Sequence, residues 1–209
     1  MPNLAELGIA RGKRARAKAA NRKAILDAAR SVFARIGYEA CSIRDIIRET
    51  NLASGTFYNY FKSKEEVFEA IADDSVNRFR PRLEKVREEA TDLEGYLRAA
   101  FGAYFHFLAD ENNEAIANGA PHGVLIGVRV DTPEMQTLSS EIRNDLELVL
   151  MRMGHGKTDT DYLSAAAIGI AREMGDHMLK RRPVDADEAA DFATSLVMSG
   201  IGALTQKGA

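Results

Sequence analysis

Apolar residues recur at intervals of three and four along most of the 209-residue chain. This spacing places them on one face of an α-helix. No segment alternates apolar and polar residues with the β-branched enrichment typical of strands. The pattern predicts an all-α fold of about nine helices, with a small three-helix head and a larger helical body.

The first two predicted helices belong to the head. One runs from about Asn21 to Ile36 and ends at Gly37. Its apolar residues share one face: Ile25, Ala29, Val32, Phe33 and Ile36. The other spans Ser42 to Thr50, with Ser42 as its N-cap. We expect the first helix to brace the second from behind.

A sharp turn and a short helix follow. We expect Asn51 to adopt the left-handed conformation of a helix C-cap. Ala53 cannot cap the next helix, so either Ser54 takes over or the cap is weakened. Phe57 and Phe61, four residues apart, are expected to face inward. The residues expected to look outward are Tyr58, Asn59, Tyr60 and Lys62.

The body is predicted to be helical throughout. A helix from Lys64 is expected to be interrupted or kinked at Pro81. Further helices are expected over 92–110, 132–154, 159–180 and 185–204, the second of these capped by Thr132 with Pro133 in first position. A short buried helix is an option around Gly127. His106 and Phe107 are expected to lie off the apolar face of their helix.

Charge is divided unevenly, although the net charge is only −3. Residues 1–64 hold thirteen Lys and Arg against five Asp and Glu, a balance of +8 that leaves −11 for the rest. A basic head on an acidic body suits phosphate contact at one end only. Residues 1–20 read as a flexible basic arm, either a solvated tail or a segment that folds onto DNA.

Signs of other chemistry are few. No apolar run is long enough to span a membrane and no secretory signal is visible, so a cytoplasmic protein is expected. Cys41 is expected to be a small buried hydrophobe. Glu173 and His177 stand four apart, but a surface ion pair or a pocket lining is favoured over a metal site. Without a glycine-rich phosphate loop, nucleophile elbow or zinc motif, we expect no catalytic residue, cofactor or metal.

One stretch carries a family resemblance. It reads Gly55-Thr56-Phe57-Tyr58-Asn59-Tyr60-Phe61, then Ser63-Lys64-Glu65, after Gly37-Tyr38 and a corner with Ser42, Ile43 and Ile46. This region resembles the DNA-binding region of TetR/AcrR-type transcriptional regulators. The family usually has Ala-Gly-Val-Ser at the turn, whereas this chain has Thr50-Asn51-Leu52-Ala53.

The resemblance implies a division of the chain and a set of DNA contacts. Residues 21–66 would form the helix-turn-helix domain, and residues 67–209 a ligand-binding and dimerisation domain. The expected DNA-binding residues are Ser42, Arg44, Ser54, Gly55, Thr56, Tyr58, Asn59, Tyr60, Lys62 and Lys64.

The resemblance also implies a ligand pocket in the body. The apolar stripe there is either plain core or the lining of a cavity for a partly apolar small molecule. The expected lining residues are Phe101, Tyr104, Phe105, His122, Leu125, Arg129, Met135, Leu138, Ile142, Met174 and His177.

Small residues on the last two helices permit close helix approach and leave apolar surface that a monomer would expose. These helices are either inner core elements or, as the resemblance implies, a homodimer interface built as an intermolecular four-helix bundle. A two-fold dimer would read an inverted-repeat operator in double-stranded DNA.

The expected function is therefore that of a ligand-responsive transcriptional regulator, a repressor released from its operator by a small molecule. Two alternatives stand beside it. One is a helical small-molecule binding protein or enzyme with a relic DNA-binding head. The other is a non-specific architectural DNA binder that uses its basic arm.

Overall fold

The computed structural model describes residues 4–117, 131–152 and 158–206. Within these ranges the chain forms eight α-helices and no strand, which confirms the all-α fold with one helix fewer than the expected nine or so. The region around Gly127, where a short helix was an option, lies outside the described residues. The chain divides into two compact units between Ile71 and Ala72.

The first unit contains α1 (Leu4–Ile36), α2 (Ile43–Glu49), α3 (Ser54–Tyr58) and the start of α4 (Lys64–Glu89). Helix α1 ends where predicted, because Gly37 takes a φ of 80° and donates its N–H to Phe33 at 2.8 Å. It begins earlier than Asn21, since the helix continues back through the basic segment. Residues 12–20 of that segment are all exposed.

Apolar residues from all four helices fill the core of this unit. The Phe33 and Phe68 rings meet edge to face at 5.8 Å, and Tyr38 packs against both. Fully buried members of the core include Ile25, Ala29, Val32, Ile46, Phe57, Val67 and Ile71. The short helices α2 and α3 are therefore held in place by a core to which each contributes one fully buried residue.

The second unit adds α5 (Leu93–Ala117), α6 (Pro133–Arg152), α7 (Thr160–Lys180) and α8 (Ala186–Gln206). Side-chain oxygens cap the first turns of all four helices, and at α8 the cap is Asp185, which accepts from the Glu188 N–H at 2.9 Å. Asp92 accepts from Gly95 at 2.7 Å, Thr132 from Met135 at 3.2 Å and Asp159 from Tyr162 at 3.0 Å. The predicted start of α6 at Thr132 and Pro133 is confirmed.

Helix α5 packs mainly against α8 and also against α7. Gly175 of α7 allows the close approach, because a Cβ at this position would stand 2.4 Å from Cδ1 of Leu108 on α5. A single buried cluster joins α5 to α8 through residues such as Leu97, Phe101, Phe105, Ala190, Ala193 and Val197. This cluster is the main core of the second unit.

The expected interruption of α4 and the expected position of Phe107 on α5 are not found. Helix α4 is not interrupted at Pro81, whose ring lies on an exposed position while Phe79 and Leu83 beside it are buried. Core packing on both sides offsets the one missing backbone hydrogen bond. Phe107, expected off the apolar face, is buried against Phe79, with ring centroids 5.5 Å apart.

Arginines along α4 pair with carboxylates on α5 and α6. The pairs are Arg78 with Glu111, Arg82 with Asp110 at 2.9 Å and Arg80 with Glu141 at 3.3 Å. Arg78 and Arg82 also lie over the Phe107 ring. Each exposed pair contributes little alone, but together they fix the direction in which α4 lies across the unit.

Candidate functional site

Helix α2 begins with a reciprocal capping box. The Ser42 N–H donates to Asp45 at 3.0 Å, the Asp45 N–H donates to the Ser42 hydroxyl at 3.4 Å, and that hydroxyl donates back to the carboxylate at 2.5 Å. The bonds from Ser42 hold the pKa of the Asp45 carboxyl below its usual value. The predicted N-cap is confirmed. The Ser42 hydroxyl, predicted to contact DNA, is engaged in this cap.

The turn after α2 forms differently from the expectation. No described residue other than glycine has a positive φ, so Asn51 is not a left-handed C-cap. Thr50 ends the helix in an extended conformation. Its hydroxyl donates to Ile47 at 2.9 Å and accepts the Leu52 N–H at 3.2 Å. These two bonds by the threonine replace the cap predicted for the asparagine.

Helix α3 has one exposed face and is anchored by a single buried residue. Ala53 provides no side-chain cap, as predicted, and its carbonyl accepts the N–H groups of Thr56 and Phe57. Phe57 is fully buried and Tyr58 beside it is 54% exposed. A Cβ on Gly55 would meet no atom within 4 Å. The face that carries most of the predicted DNA contacts is therefore free for another surface to approach.

The side chains predicted to contact DNA fall into an exposed group and a partly covered group. Thr56, Tyr60 and Lys64 are half-buried. The exposed members are Ser42, Arg44, Ser54, Gly55, Tyr58, Asn59 and Lys62. Apart from Ser42, Arg44 and Lys64, all of them lie on α3 or in the four residues that follow Tyr58. The short helix thus gathers most of the predicted contacts in one place.

Lys64 is already engaged within the first unit. Its ammonium donates to the Tyr38 carbonyl at 2.9 Å and lies 4.3 Å from the centroid of the Tyr38 ring. The Tyr38 hydroxyl donates to Glu65 at 3.2 Å, and burial together with this carboxylate raises the pKa of Tyr38 to about 12. Lys64 thus ties the start of α4 to the loop after α1, a role that the sequence pattern did not indicate.

Other cations near the corner have partners. Arg35 pairs with Glu49 at 3.0 Å, and Arg22 lies over the Phe61 ring at 5.6 Å. Arg44 and Lys62 are exposed, and they are the cations of the predicted set best placed to meet phosphate.

Several residues predicted to line a pocket come together in the second unit. Phe101 and Phe105 are buried in the main cluster, and Tyr104, Ile142 and Met174 pack against it. Leu138 packs against a second cluster formed by Phe79, Leu83 and Phe107. Met135 is half-buried and His177 is exposed. His122, Leu125 and Arg129 lie outside the described residues.

A polar triad around the buried Asp145 in the same unit was missed by sequence reasoning. Asp145 of α6 is 5% exposed and accepts from Arg87 of α4 at 2.6 Å and from the Tyr96 hydroxyl of α5 at 3.3 Å. Burial beside the carboxylate raises the pKa of Tyr96. No spacing signal could have indicated this triad, because its members lie on three helices far apart in the sequence.

An open groove of about 310 Å³ lies between α6 and α7. Its lining residues are Ser139, Ser140, Arg143, Ser164, Ala165 and Ile168, none of which was predicted for the pocket. The three serine hydroxyls donate to backbone carbonyls of their own helices. The groove is therefore a surface feature separate from the predicted lining, and its serine hydroxyls are already engaged by their own helices.

Helix α8 carries large apolar side chains on the surface of the chain. Phe192 is 64% exposed and Leu196 is 50% exposed. On α7 the small residues Ala165, Ala166 and Gly169 are exposed as well. Exposed apolar surface next to small residues suits a close helix contact.

Over the described ranges no cluster of three or more histidine, cysteine or acidic side chains is arranged to hold a metal ion. None of the helices described there is both long and apolar enough to cross a membrane. Cys41 is buried and free, and burial raises the pKa of its thiol.

Comparison with known proteins finds a family match over the segment that contains α2 and α3. Residues 25–71 match the family described as bacterial regulatory proteins, tetR family. A fatty acid metabolism regulator protein of Bacillus subtilis is 34% identical over 93 residues, 44% of this chain and 47% of that protein. The transcriptional repressor KstR2 of Mycolicibacterium smegmatis is 33% identical over 92 residues, 42% of this chain and 45% of that protein. The chain thus matches less than half the length of these two relatives.

A solved structure extends the likeness in fold. The regulator FadR from Bacillus subtilis, in complex with stearoyl-CoA, superposes with a TM-score of 0.67 over 85% of this chain and 98% of that one, at 22% identity. At this low sequence identity, the superposition supports a shared fold and nothing further. Residues 25–71 thus match the tetR family of bacterial regulatory proteins, two curated regulators share sequence with part of the chain, and the fold resembles that of a solved regulator.

Proposed function

We propose that the protein is a transcriptional regulator that binds double-stranded DNA through α3. The observation that carries this proposal is the open face of α3. A Cβ on Gly55 would meet no atom within 4 Å, and Tyr58 is more than half exposed, while Phe57 is fully buried and anchors the helix in the core. A helix held this way can enter a major groove without rearranging its support. Arg44 and Lys62 would contact phosphates beside it.

The uneven charge supports the same assignment. The head and basic segment carry +8 over residues 1–64, while the rest of the chain carries −11. An enzyme or binding protein that merely retained the head would have no reason to keep cations and an exposed hydroxyl-rich face together. The names of the relatives, which are regulators and repressors, support a non-enzymatic role. A protein that binds chromosomal DNA works in the cytoplasm, and we place it there.

The proposal includes a homodimer formed through α7 and α8. Phe192 and Leu196 on α8 face solvent in the single chain, and a second copy would cover them. Two-fold symmetry would place two α3 helices about 34 Å apart, one turn of DNA. The operator would then be an inverted repeat.

The proposed effector is a partly apolar small molecule bound in the second unit, and its binding releases the DNA. The relatives indicate which class of ligand to test first, because one is named for fatty acid metabolism and a structural neighbour was solved in complex with stearoyl-CoA. A ligand that binds better to the form with low DNA affinity shifts the population toward that form. This arrangement makes the protein a repressor.

Footprinting on the DNA upstream of the protein's own gene tests the DNA-binding proposal. We expect two protected half-sites whose centres lie about one helical turn apart. Uniform protection along the fragment would favour a non-specific architectural binder. No protection at low salt would favour a relic head.

Sedimentation tests the dimer separately. Phe192→Glu places a charge in the proposed interface and should give monomers, while Lys85→Glu changes an exposed residue of α4 and serves as the control. A monomeric wild-type protein, or a Phe192→Glu variant that remains dimeric, would exclude this interface.

A further inference from the structure

Helix α1 continues well beyond the core of the first unit. In its packed half Ile25, Ala29 and Val32 are fully buried, whereas every residue from 12 to 20 is exposed. These nine residues, which we call the helical extension, correspond to about 13 Å of helix. The extension buries none of its own residues, although most helices in proteins are stabilised by packing one apolar face.

The composition of this segment explains why it is helical. Residues 13–24 consist of five alanines, six lysines and arginines, and one asparagine. Alanine has the highest helix propensity, and arginine and lysine follow closely. The packed half of α1 supplies the nucleus from which such a sequence extends at little cost. The cations are therefore held at fixed positions along the helix.

Three cations continue the buried line of α1 into the extension. Arg14, Lys18 and Arg22 stand four residues apart, and Ile25 and Ala29 follow on the same face. We call these three cations the basic stripe. The guanidinium carbon of Arg22 lies 5.6 Å from the centroid of the Phe61 ring. The basic stripe therefore begins beside the segment that follows α3.

The opposite face of α1 differs in charge. It carries Asp27, the single acidic residue between positions 7 and 38. This carboxylate accepts from Lys23 at 2.6 Å and pairs with Arg30 at 3.4 Å. Positive charge without a carboxylate is thus confined to the face that carries the basic stripe.

We propose that the basic stripe binds backbone phosphates of double-stranded DNA, beside the phosphates reached from α3. This inference rests on the proposed DNA-binding function and adds a second contact surface to it. Guanidinium and ammonium groups form charge-assisted hydrogen bonds with phosphate. Four helical residues span about 6 Å, which is comparable to the separation of successive phosphates along one strand.

The chemistry of the extension favours DNA over an anionic membrane. A helix that lies in a membrane surface carries large apolar side chains opposite its cations. Between its cations the extension has only alanine. Phosphate contacts carry no sequence information, so the basic stripe should add affinity for any duplex and leave the preference between sequences unchanged.

Two matched double variants test the proposal by fluorescence anisotropy with the full-length protein. Arg14→Gln/Lys18→Gln removes two cations of the basic stripe, and Lys13→Gln/Arg16→Gln removes one lysine and one arginine from the other side of the same exposed segment. Both would be titrated at several salt concentrations onto the duplex from upstream of the gene and onto a scrambled duplex. Glutamine keeps the helix propensity, so both variants should melt like the wild type.

The stripe variant should lose affinity for both duplexes by the same factor. Two lost phosphate contacts lower the salt slope by about 1.8 for each bound copy, which corresponds to about a thirtyfold loss per copy at about 0.15 M salt. The control variant should stay within about threefold of the wild type, because its cations lie away from the phosphates and are screened. Equal losses in the two variants would show that the extension acts through net charge alone and would overturn the proposal.

A third variant tests the helical form of the extension. Ala17→Pro keeps every charge but breaks the helix between Arg14 and Lys18, so the salt slope should fall by about 0.9 per copy, as for one lost contact. A slope equal to that of the wild type would show that the register of the stripe does not matter and would overturn the proposal.

Further outcomes separate this proposal from the regulator proposal. Specific wild-type binding that Arg14→Gln/Lys18→Gln leaves unchanged would overturn the basic stripe and leave the regulator standing. Equal wild-type affinity for the two duplexes would overturn the regulator, while the salt slopes would still decide the stripe. Vesicles of phosphatidylglycerol and phosphatidylcholine should not sediment the wild-type protein at physiological salt. Sedimentation that the stripe variant abolishes would reassign the stripe to a membrane surface and overturn the proposal.

Discussion

Asp145 is the acceptor shared by Arg87 and Tyr96, so replacing it with alanine removes both bonds at once. The Tyr96 hydroxyl is buried and would lose its acceptor, at a cost of about 1–3 kcal/mol. Arg87 adds about 1 kcal/mol or less, because 39% of its side chain is exposed and water can replace the carboxylate. We therefore expect Asp145→Ala to lower the free energy of unfolding by about 3 kcal/mol.

A double-mutant cycle followed by urea unfolding checks the origin of this cost. In a Tyr96→Phe background no hydroxyl is left without a partner, so Asp145→Ala should cost about 1–2 kcal/mol less than in the wild type. Asp110→Ala removes an exposed partner of Arg82 and serves as the control, with an expected cost below about 1 kcal/mol. An equal cost of Asp145→Ala in both backgrounds, or a cost as small as that of the control, would refute the reasoning.

Three further outcomes are expected. Gly55→Ala should leave the melting temperature unchanged or raise it, since the added methyl group meets no atom within 4 Å. The same substitution should weaken operator binding, measured by fluorescence anisotropy. Undiminished affinity would mean that DNA does not approach α3 closely at this position. Gly175→Ala should lower the free energy of unfolding in urea by about 1 kcal/mol, because overpacking against Leu108 outweighs the better helix propensity of alanine; a stabilised variant would show that the leucine moves aside freely. Tyr38 and Tyr104 have pKa values raised from 10.0 to about 12, so the stability that their neutral forms contribute is complete below about pH 10 and is lost as the pH rises toward 12. Absorbance at 295 nm should show both tyrosines ionising near pH 12 in the folded protein. Ionisation of every tyrosine near pH 10 without unfolding would contradict this.

The sequence pattern predicted those features that depend on neighbours along the chain. The apolar spacing located the helices, and the Ser42 cap, the Gly37 stop and the Thr132-Pro133 start follow from local hydrogen bonding and backbone preference. The prediction for Asn51 was wrong because a residue preference was weighed without the competing hydroxyl of Thr50, which ends α2 through two hydrogen bonds of its own.

Features that depend on distant residues could not be predicted. Pro81 leaves α4 continuous because packing around it offsets a local penalty. Asp145 reads in the sequence as a surface residue of α6, and its burial becomes visible only when Arg87 and Tyr96 are brought to it by two other helices. For the same reason the close approach of α7 to α5 at Gly175 could not be predicted, because no periodicity encodes that contact.

Specific DNA recognition is the central claim, and fluorescence anisotropy tests it most directly. The full-length protein would be titrated onto an inverted repeat from the region upstream of its gene, and onto a scrambled duplex of the same length and composition, at physiological salt. The account predicts affinity for the inverted repeat at least about a thousand times higher, with both affinities falling as salt rises. Equal affinity for the two duplexes would contradict it.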